Sequence, residues 1–240
     1  MAGHSKYANI KYRKAAQDKK RAKVFTKAQR EIYIAAKSGL PDPELNHKLK
    51  LAIIKARSVN VSKELIEKAI KKASGEGNSK AFHDIRYNLS SGEVSIIVEC
   101  STDNTNRSVS DIKACIGKAK VNLVETGSLE FMFKYIGLIE YEKPTMNFEE
   151  FFDKASELDP VDIYDFEGDF FIETEYKDFH KIEQECSKIL SQQPSSASLI
   201  WKPNDTVDTD EDKKTQLINF IEKLEELEDV VEVYSNLNLE

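Results

Sequence analysis

Apolar residues recur at helical spacing in three successive stretches of the first third of the chain. They predict three short amphipathic helices that pack as a small bundle. The first helix has an apolar face and, opposite to it, a cationic face made of Lys20, Lys23, Lys27, Arg30 and Lys37. Asp42 is predicted to cap a second helix whose first residue is Pro43, and Ser62 to cap the third.

Beyond a polar, glycine-containing linker at 74–79, strands alternate with helices. Strands are predicted at 84–89, 93–101 and 128–133, and a helix at 106–118. The stretch 137–203 gives strand, helix, strand, strand, helix, strand, which is the ferredoxin-like order. A last helix around 217–227 and a strand at 230–234 cannot form a domain alone, so we expect them to pack with the earlier strands.

These elements predict a multidomain α+β protein. The first domain is an N-terminal three-helix bundle, and the second and third are α+β domains. The third domain is ferredoxin-like (βαββαβ) and inserted into the second. The predicted boundaries are 1–78 for the basic arm and helical bundle, 79–136 plus 204–240 for the discontinuous α+β domain, and 137–203 for the acidic ferredoxin-like inserted domain.

Charge is distributed unevenly along the chain. Residues 1–80 carry 20 basic and 7 acidic side chains, a net charge of +13, whereas residues 81–240 carry a net charge of −20. The overall charge of −7 therefore hides two opposite surfaces, and binding responds to the local potential. The ferredoxin-like stretch has 6 basic and 16 acidic residues, so it should repel phosphate backbones and could receive a basic protein partner.

The first thirty residues hold ten Lys and Arg against one acid, with two tyrosines among them. A basic run alone is as often a solvated arm as a functional surface, but the contrast with the acidic remainder favours a nucleic-acid contact surface. Tyr7 and Tyr12 are the candidates for stacking on bases. The candidate phosphate contacts are Lys6, Lys11, Arg13, Lys14, Lys20, Arg21, Lys23, Lys27 and Arg30.

Other classes of function have weaker support in the sequence. Cys100, followed by Asp103 and Asn104, could be a nucleophile with polar helpers, but a buried structural cysteine is commoner. An acidic group at 159–169 lacks the spacing of a calcium loop. We therefore expect that the protein is not an enzyme and that it binds no metal, cofactor or small-molecule substrate. With no apolar run of membrane-spanning length and no secretory signal, we expect no membrane partner and a cytoplasmic protein.

The opening sequence MAGHSKYANIKYRKAAQDKKRAKVFTK resembles the signature of the YebC/PmpR family, which includes the mitochondrial translational activator of cytochrome c oxidase. Tyr7 stands where the family usually has Trp, an exchange that keeps an aromatic ring for stacking. The resemblance reaches all three predicted domains, through Asn60–Ile70, Thr102–Asn104 with Arg107, Asn122–Leu123, Glu125–Ser128 and Met132–Phe133.

The resemblance implies a helical N-terminal domain followed by two α+β domains. It also implies one of two activities, because family members are described as DNA-binding transcriptional regulators and as ribosome-associated translation factors that assist difficult peptide-bond formation. The sequence predicts DNA and/or ribosomal RNA as the partner of residues 1–80, and no recognition motif decides between the two. The continuous basic stretch and the lack of a dimer seam slightly favour ribosomal RNA, whereas the resemblance to bacterial family members implies a DNA-binding transcriptional regulator. A pure protein-interaction module, in which the acidic inserted domain is the functional part, stays open as a further class.

Overall fold

The computed structural model describes residues 21–75, 83–117, 119–142 and 144–239. Besides a short 3-10 helix at Glu130–Met132, the elements in chain order are α1 (Arg21–Ser38), α2 (His47–Ser58), α3 (Lys63–Ser74), β1 (His83–Ser91), β2 (Val94–Thr102), α4 (Thr105–Ile116), β3 (Asn122–Val124), β4 (Phe133–Tyr141), α5 (Phe148–Ser156), β5 (Asp162–Phe166), β6 (Asp169–Glu175), α6 (Phe179–Ile189), β7 (Ser196–Pro203), α7 (Glu211–Glu225) and β8 (Val230–Ser235). The protein is α+β, as the sequence predicted.

Helices α1, α2 and α3 pack around a shared apolar core whose fully buried members include Ile32, Leu49 and Ala56. Several positions in this core are alanines, whose small side chains allow helices to pack closely. Ser62 caps α3, because its hydroxyl accepts a hydrogen bond from the Leu65 backbone N–H at 3.4 Å. The predicted helical bundle and the predicted cap of its third helix are both present.

The predicted start of the second helix was wrong. Residues 42–45 form a turn in which the Asp42 carboxylate accepts from the Glu44 backbone N–H at 3.0 Å, and α2 begins only at His47. Asn46 is the cap: its side chain accepts from the Leu49 N–H at 3.1 Å and donates to the Leu40 carbonyl at 2.8 Å. This asparagine therefore outcompetes Asp42, because it satisfies both the end of the α1 loop and the start of α2.

The first sheet is antiparallel and has the strand order β3-β1-β2-β8. Helices α4 and α7 supply Ile112, Leu217, Phe220 and Leu224 to a core built on one face of this sheet. The last helix and strand thus complete the earlier sheet, as expected. A further backbone contact joins the segment before α7 to the residues after β8, because the Val207 backbone N–H donates to the Asn236 carbonyl at 2.7 Å.

The second sheet is antiparallel with the strand order β5-β6-β4-β7, and its elements follow the βαββαβ order of the ferredoxin-like arrangement. The tight turn between β5 and β6 is at Glu167 and Gly168, which have φ of 53° and 87°. Tyr141, Phe151, Phe170 and Phe179 dominate the core under α5 and α6. Gly137 allows α6 to approach, because a Cβ there would lie 2.3 Å from the Phe179 ring.

The predicted strand at 128–133 was wrong. Turns and the short 3-10 helix occupy 128–132, with the Met132 N–H donating to the Leu129 carbonyl at 3.1 Å and Phe131 largely exposed. Gly127, at φ of 88°, begins this series of turns, so local turn chemistry overrides the apolar pattern. Strand β4 starts at Phe133 and runs through the boundary predicted at 136/137. The three domain boundaries remain predictions.

The two sheets contact each other through the face of the first sheet that α4 and α7 do not cover. Ile97, Phe133 and Tyr234 are buried there against Ile200 and Trp201 of β7. The Trp201 indole N–H donates to the Glu99 carboxylate at 3.0 Å, and burial raises the pKa of Glu99. Within the described ranges, no helix is long and apolar enough to cross a bilayer.

Candidate nucleic-acid interface

The structure describes the side chains of two predicted phosphate contacts, Lys27 and Arg30, which lie one helical turn apart in α1. The backbones of Arg21 and Lys23 lie in the first turn of the same helix. The other candidates lie outside the described residues: Lys6, Tyr7, Lys11, Tyr12, Arg13, Lys14 and Lys20. The described part of the candidate interface begins at α1.

Lys27 and Arg30 point away from the apolar core of the bundle, but toward an acidic edge of the first sheet and not toward bulk solvent. The Arg30 guanidinium contacts the Asp229 carboxylate at 2.6 Å and the Glu228 carboxylate at 3.1 Å, and it also donates to the Glu228 carbonyl. Burial lowers the pKa of Lys27, while the carboxylates of Glu232, Glu225 and Glu31 oppose that shift.

Asp229, just before β8, is the centre of this contact, and its side chain is 3% exposed. Its carboxylate also accepts from the Arg107 guanidinium at 2.8 to 3.1 Å, from the Ser108 hydroxyl at 2.7 Å and from the Thr102 hydroxyl at 2.9 Å. Burial alone would raise the pKa of Asp229, but the hydrogen bonds from Arg107, Ser108, Arg30 and Thr102 outweigh it and lower the pKa to about 2. The carboxylate is therefore charged at neutral pH.

Helix α2 makes a second set of charged contacts with the same edge. The Lys55 ammonium lies 3.1 Å from Glu31 of α1 and 3.4 Å from Glu232 of β8. Burial would lower the pKa of Lys55, but these two carboxylates raise it above its usual range. Lys55 therefore joins the bundle to the first sheet as a charged group.

The N-terminal half of α2 contacts the ferredoxin-like region. The Lys50 ammonium lies 3.2 Å from the carboxylate of Glu183 in α6, whose side chain is fully buried. The rings of His47 and His180 lie with centroids 3.7 Å apart, and burial, His180 and Lys50 together lower the pKa of His47 to about 4. The ammonium of Lys48 and the carboxylate of Asp84 form a more exposed pair at 3.5 Å.

We name these contacts the clasp. It consists of the ion pairs that Arg30, Lys48, Lys50 and Lys55 of the bundle make with Asp84, Glu183, Glu228, Asp229 and Glu232. The charge asymmetry that the sequence analysis interpreted as a sign of nucleic-acid binding is thus also used inside the molecule. In the structure, Arg30 forms ion pairs with Glu228 and Asp229. The sequence analysis did not predict these ion pairs.

A second group of cations faces solvent. Lys68, Lys71 and Lys72 of α3 are exposed, at positions three and four residues apart that share one side of the helix. The Lys37 and Lys72 ammonium groups lie 5.1 and 5.7 Å from the centroid of the Tyr33 ring, and Lys37 also donates to the Tyr33 hydroxyl at 2.8 Å. We name Lys37, Lys68, Lys71 and Lys72 the outer cationic face.

The sequence analysis listed no phosphate contact beyond Arg30 and so missed three of these lysines. A signal was available, because Lys68, Lys71 and Lys72 alternate with the buried residues Ile66 and Ala69 at helical spacing. Lys37 was placed on the cationic side of α1 but was not included among the contacts. Arg107 was named in the sequence analysis only for the family resemblance, without a role, and Asp229 was not named.

The residues weighed for catalysis have structural roles. Cys100 is buried, and burial, with Asp229 nearby, raises its pKa to about 12, so it is not a thiolate at neutral pH. Asn104 caps α4 by accepting from the Arg107 N–H at 3.1 Å. Among the described residues, no three His, Cys, Asp or Glu side chains are grouped so as to hold a metal ion.

The fold and this surface define an α+β protein in which a basic helical bundle is attached to acidic α+β regions by ion pairs. Residues 5–76 match the model of the TACO1/YebC protein N-terminal domain, and residues 82–237 match that of the TACO1/YebC second and third domain. The chain belongs to the TACO1/YebC family, which confirms the resemblance stated from its motifs.

Two curated relatives and one solved structure are similar over most of the chain. Probable transcriptional regulatory proteins of Ehrlichia ruminantium, strains Gardel and Welgevonden, are each 40% identical over 243 aligned residues, which cover 98% of this chain and 97% of theirs. The crystal structure of a conserved hypothetical protein, Aq1575 from Aquifex aeolicus, matches with a TM-score of 0.78 and 34% identity, covering 90% of each chain.

Proposed function

We propose that this protein is a DNA-binding transcriptional regulator that contacts phosphates through its basic N-terminal segment and helical bundle. The observation that carries the proposal is the outer cationic face, in which Lys68, Lys71 and Lys72 of α3 are exposed and the ammonium groups of Lys37 and Lys72 lie over the Tyr33 ring of α1. The names of the Ehrlichia relatives, probable transcriptional regulatory proteins, support a regulatory role.

The chemistry of this face fits a phosphate backbone. Each lysine is a mobile point charge that can neutralise a phosphate, and binding then releases condensed counterions. The predicted contacts Lys6, Lys11, Arg13, Lys14, Lys20, Arg21 and Lys23 would neutralise further phosphates, with Tyr7 and Tyr12 stacking on bases. The acidic ferredoxin-like region, which repels phosphates, would then be free to contact a basic protein partner.

Fluorescence anisotropy with a labelled duplex DNA, measured from low to physiological salt, tests this proposal. We expect log K to fall steeply against log salt, with a slope of several units. Replacing Lys68 and Lys71 by Gln should weaken binding and reduce that slope by about 2, because two phosphate contacts are lost. The matched control replaces Lys177 and Lys181, exposed lysines of the ferredoxin-like region, by Gln and should leave the slope unchanged.

A structured RNA fragment measured in the same way decides which nucleic acid is preferred. Tighter binding of duplex DNA than of RNA at physiological salt supports the transcriptional role. Tighter binding of RNA would move the proposal to the second implied activity, a ribosome-associated factor. Equal effects of the bundle variant and its control on both ligands would contradict the assignment of the bundle as the contact surface.

A further inference from the structure

The clasp occupies the same side of α1 that the sequence predicts to bind phosphates. Lys27 and Arg30 are three residues apart, which places them on one side of the helix. At the Arg30 end, this side meets the carboxylates of Glu228, Asp229 and Glu232. A phosphate strand that follows the helix toward Arg30 must therefore approach three fixed negative charges.

Phosphate oxygens and carboxylate oxygens are equivalent partners for these cations. Arginine binds either group through charge-assisted hydrogen bonds, and lysine binds either as a point charge. We call the contacts of Arg30 and Lys55 with Glu228, Asp229 and Glu232 the α1 side of the clasp. Each of these two cations can exchange one anion for the other without a change in its own chemistry. Nucleic-acid phosphates and the carboxylates of the closed clasp would therefore bind the same two side chains, Arg30 and Lys55, and exclude each other there.

The acids on this side of the clasp can lose their bundle partners at low cost. Asp229 would keep the hydrogen bonds from Arg107, Ser108 and Thr102 after Arg30 left, so its buried charge would not be orphaned. Glu228 is largely exposed, and Glu232 is partly exposed, so water can replace their cations. Separating the ion pairs on the α1 side of the clasp should therefore cost little free energy.

The α2 side of the clasp, which is the ion pair of Lys50 with Glu183, would be more costly to open. Glu183 of α6 is fully buried; its Oε2 accepts a hydrogen bond from the Lys50 ammonium at 3.3 Å, and its Oε1 lies 3.2 Å from the same ammonium without a hydrogen bond. Removal of Lys50 would leave an unpaired buried charge, which is costly. Leu51 also packs against the core of the ferredoxin-like region. The bundle is therefore held more firmly at α6 than at the acidic edge next to β8.

From this asymmetry we propose that the α1 side of the clasp is an autoinhibitory contact, in which Glu228, Asp229 and Glu232 compete with nucleic-acid phosphates for Arg30 and Lys55. Binding along α1 separates the bundle from the edge at β8 while the α2–α6 contact stays closed. The proposal rests on nucleic acid as the ligand of the bundle, and it adds that the affinity is set partly by an internal acidic competitor.

The first test compares two variants of equal net charge by anisotropy with the same duplex DNA. Glu228→Gln with Glu232→Gln weakens the clasp, whereas Asp153→Asn with Glu157→Gln changes two exposed acids of α5 and its C-terminal end. We expect the clasp variant to bind about tenfold more tightly than the unchanged protein, and the control to bind within about twofold. Equal affinities of the two variants would overturn the proposal.

The second test measures opening directly by resonance energy transfer. Dyes are attached at Glu64→Cys in α3 and Asp212→Cys in α7, both exposed sites, in a chain with Cys115→Ser. Cys100 and Cys186 can stay, because both are buried and burial raises their pKa values to about 12, so they react poorly with maleimides. Duplex DNA and inorganic polyphosphate are the two probes, and both should lower the transfer efficiency.

The possible results separate this proposal from the proposed function. DNA binding with unchanged energy transfer would reject the competition and keep the nucleic-acid function. Opening by polyphosphate without any binding of DNA or RNA would keep the competition and reject the nucleic-acid function. If neither probe bound at any salt concentration, both proposals would fail.

Discussion

The helical bundle and the ferredoxin-like region are stabilised in different ways. The bundle has a core rich in alanine, and its attachment to the rest of the molecule depends on ion pairs. The ferredoxin-like region is centred on packed aromatic rings, such as Phe151 and Phe170 with centroids 5.0 Å apart, and keeps most of its acids at the surface. Salt should therefore act on the position of the bundle far more than on the ferredoxin-like core.

The largest expected effect is on the aromatic core. Phe151 is 1% exposed and Phe152, the next residue in α5, is 44% exposed. We expect Phe151→Ala to lower the free energy of unfolding by about 3 to 5 kcal/mol, because it leaves a cavity among packed rings. Phe152→Ala, the matched control, should cost less than about 1 kcal/mol. Urea unfolding followed by circular dichroism measures both, and equal losses would contradict this account of the core.

A smaller effect is expected where the two regions meet. Lys50→Met removes the partner of the buried Glu183, so we expect a loss of about 2 to 3 kcal/mol in the free energy of unfolding. Lys48→Met, two residues away, breaks the exposed pair with Asp84 and should cost less than about 0.5 kcal/mol. Both variants lose the same charge. A loss that is the same for both would show that burial of Glu183 is unimportant for docking.

The third prediction concerns pH at the acidic edge. The pKa of Asp229 is lowered from 3.8 to about 2, so the carboxylate contributes stability that is complete above about pH 5 and is lost as the pH falls through 2. The shift corresponds to about 2 kcal/mol. Asp229→Asn should therefore flatten the pH dependence of the unfolding free energy between pH 5 and 2, measured by urea titration at each pH.

The control for this pH prediction uses the other carboxylate that Arg107 contacts. Asp103 lies 2.9 Å from the same guanidinium but is more exposed. Asp103→Asn should therefore leave most of the acid dependence in place. An Asp229→Asn profile parallel to that of the unchanged protein would mean that the hydrogen bonds to Asp229 do not stabilise its charged form.

Much of the architecture could be predicted from the sequence. Helices and strands with a clear period, such as α6 with Phe179, Ile182 and Cys186 on its buried side, were placed almost correctly. The errors occurred where local hydrogen bonds decide the backbone, as at Asn46 and in the turns after Gly127. Strand β3 was missed because three residues are too short to show a period.

The candidate site was less predictable than the fold. Periodicity places Lys27 and Arg30 opposite the apolar face of α1, but it cannot indicate whether water or another domain lies there. The partners of Arg30 are 198 and 199 residues away in the sequence, and charge composition alone does not pair residues over such a separation. The exposed lysines of α3 needed no such information, since their helix and its buried side were both correctly predicted.

That sequence separation has a consequence for how the protein is made. A ribosome completes α1, α2 and α3 long before it reaches Glu228 and Asp229, and N-terminal domains generally fold first during synthesis. The nascent bundle therefore emerges with Arg30 and Lys55 lacking their partners from the acidic edge. During most of its synthesis the nascent chain therefore presents these cations close to ribosomal RNA. The competing carboxylates near β8 are synthesised last.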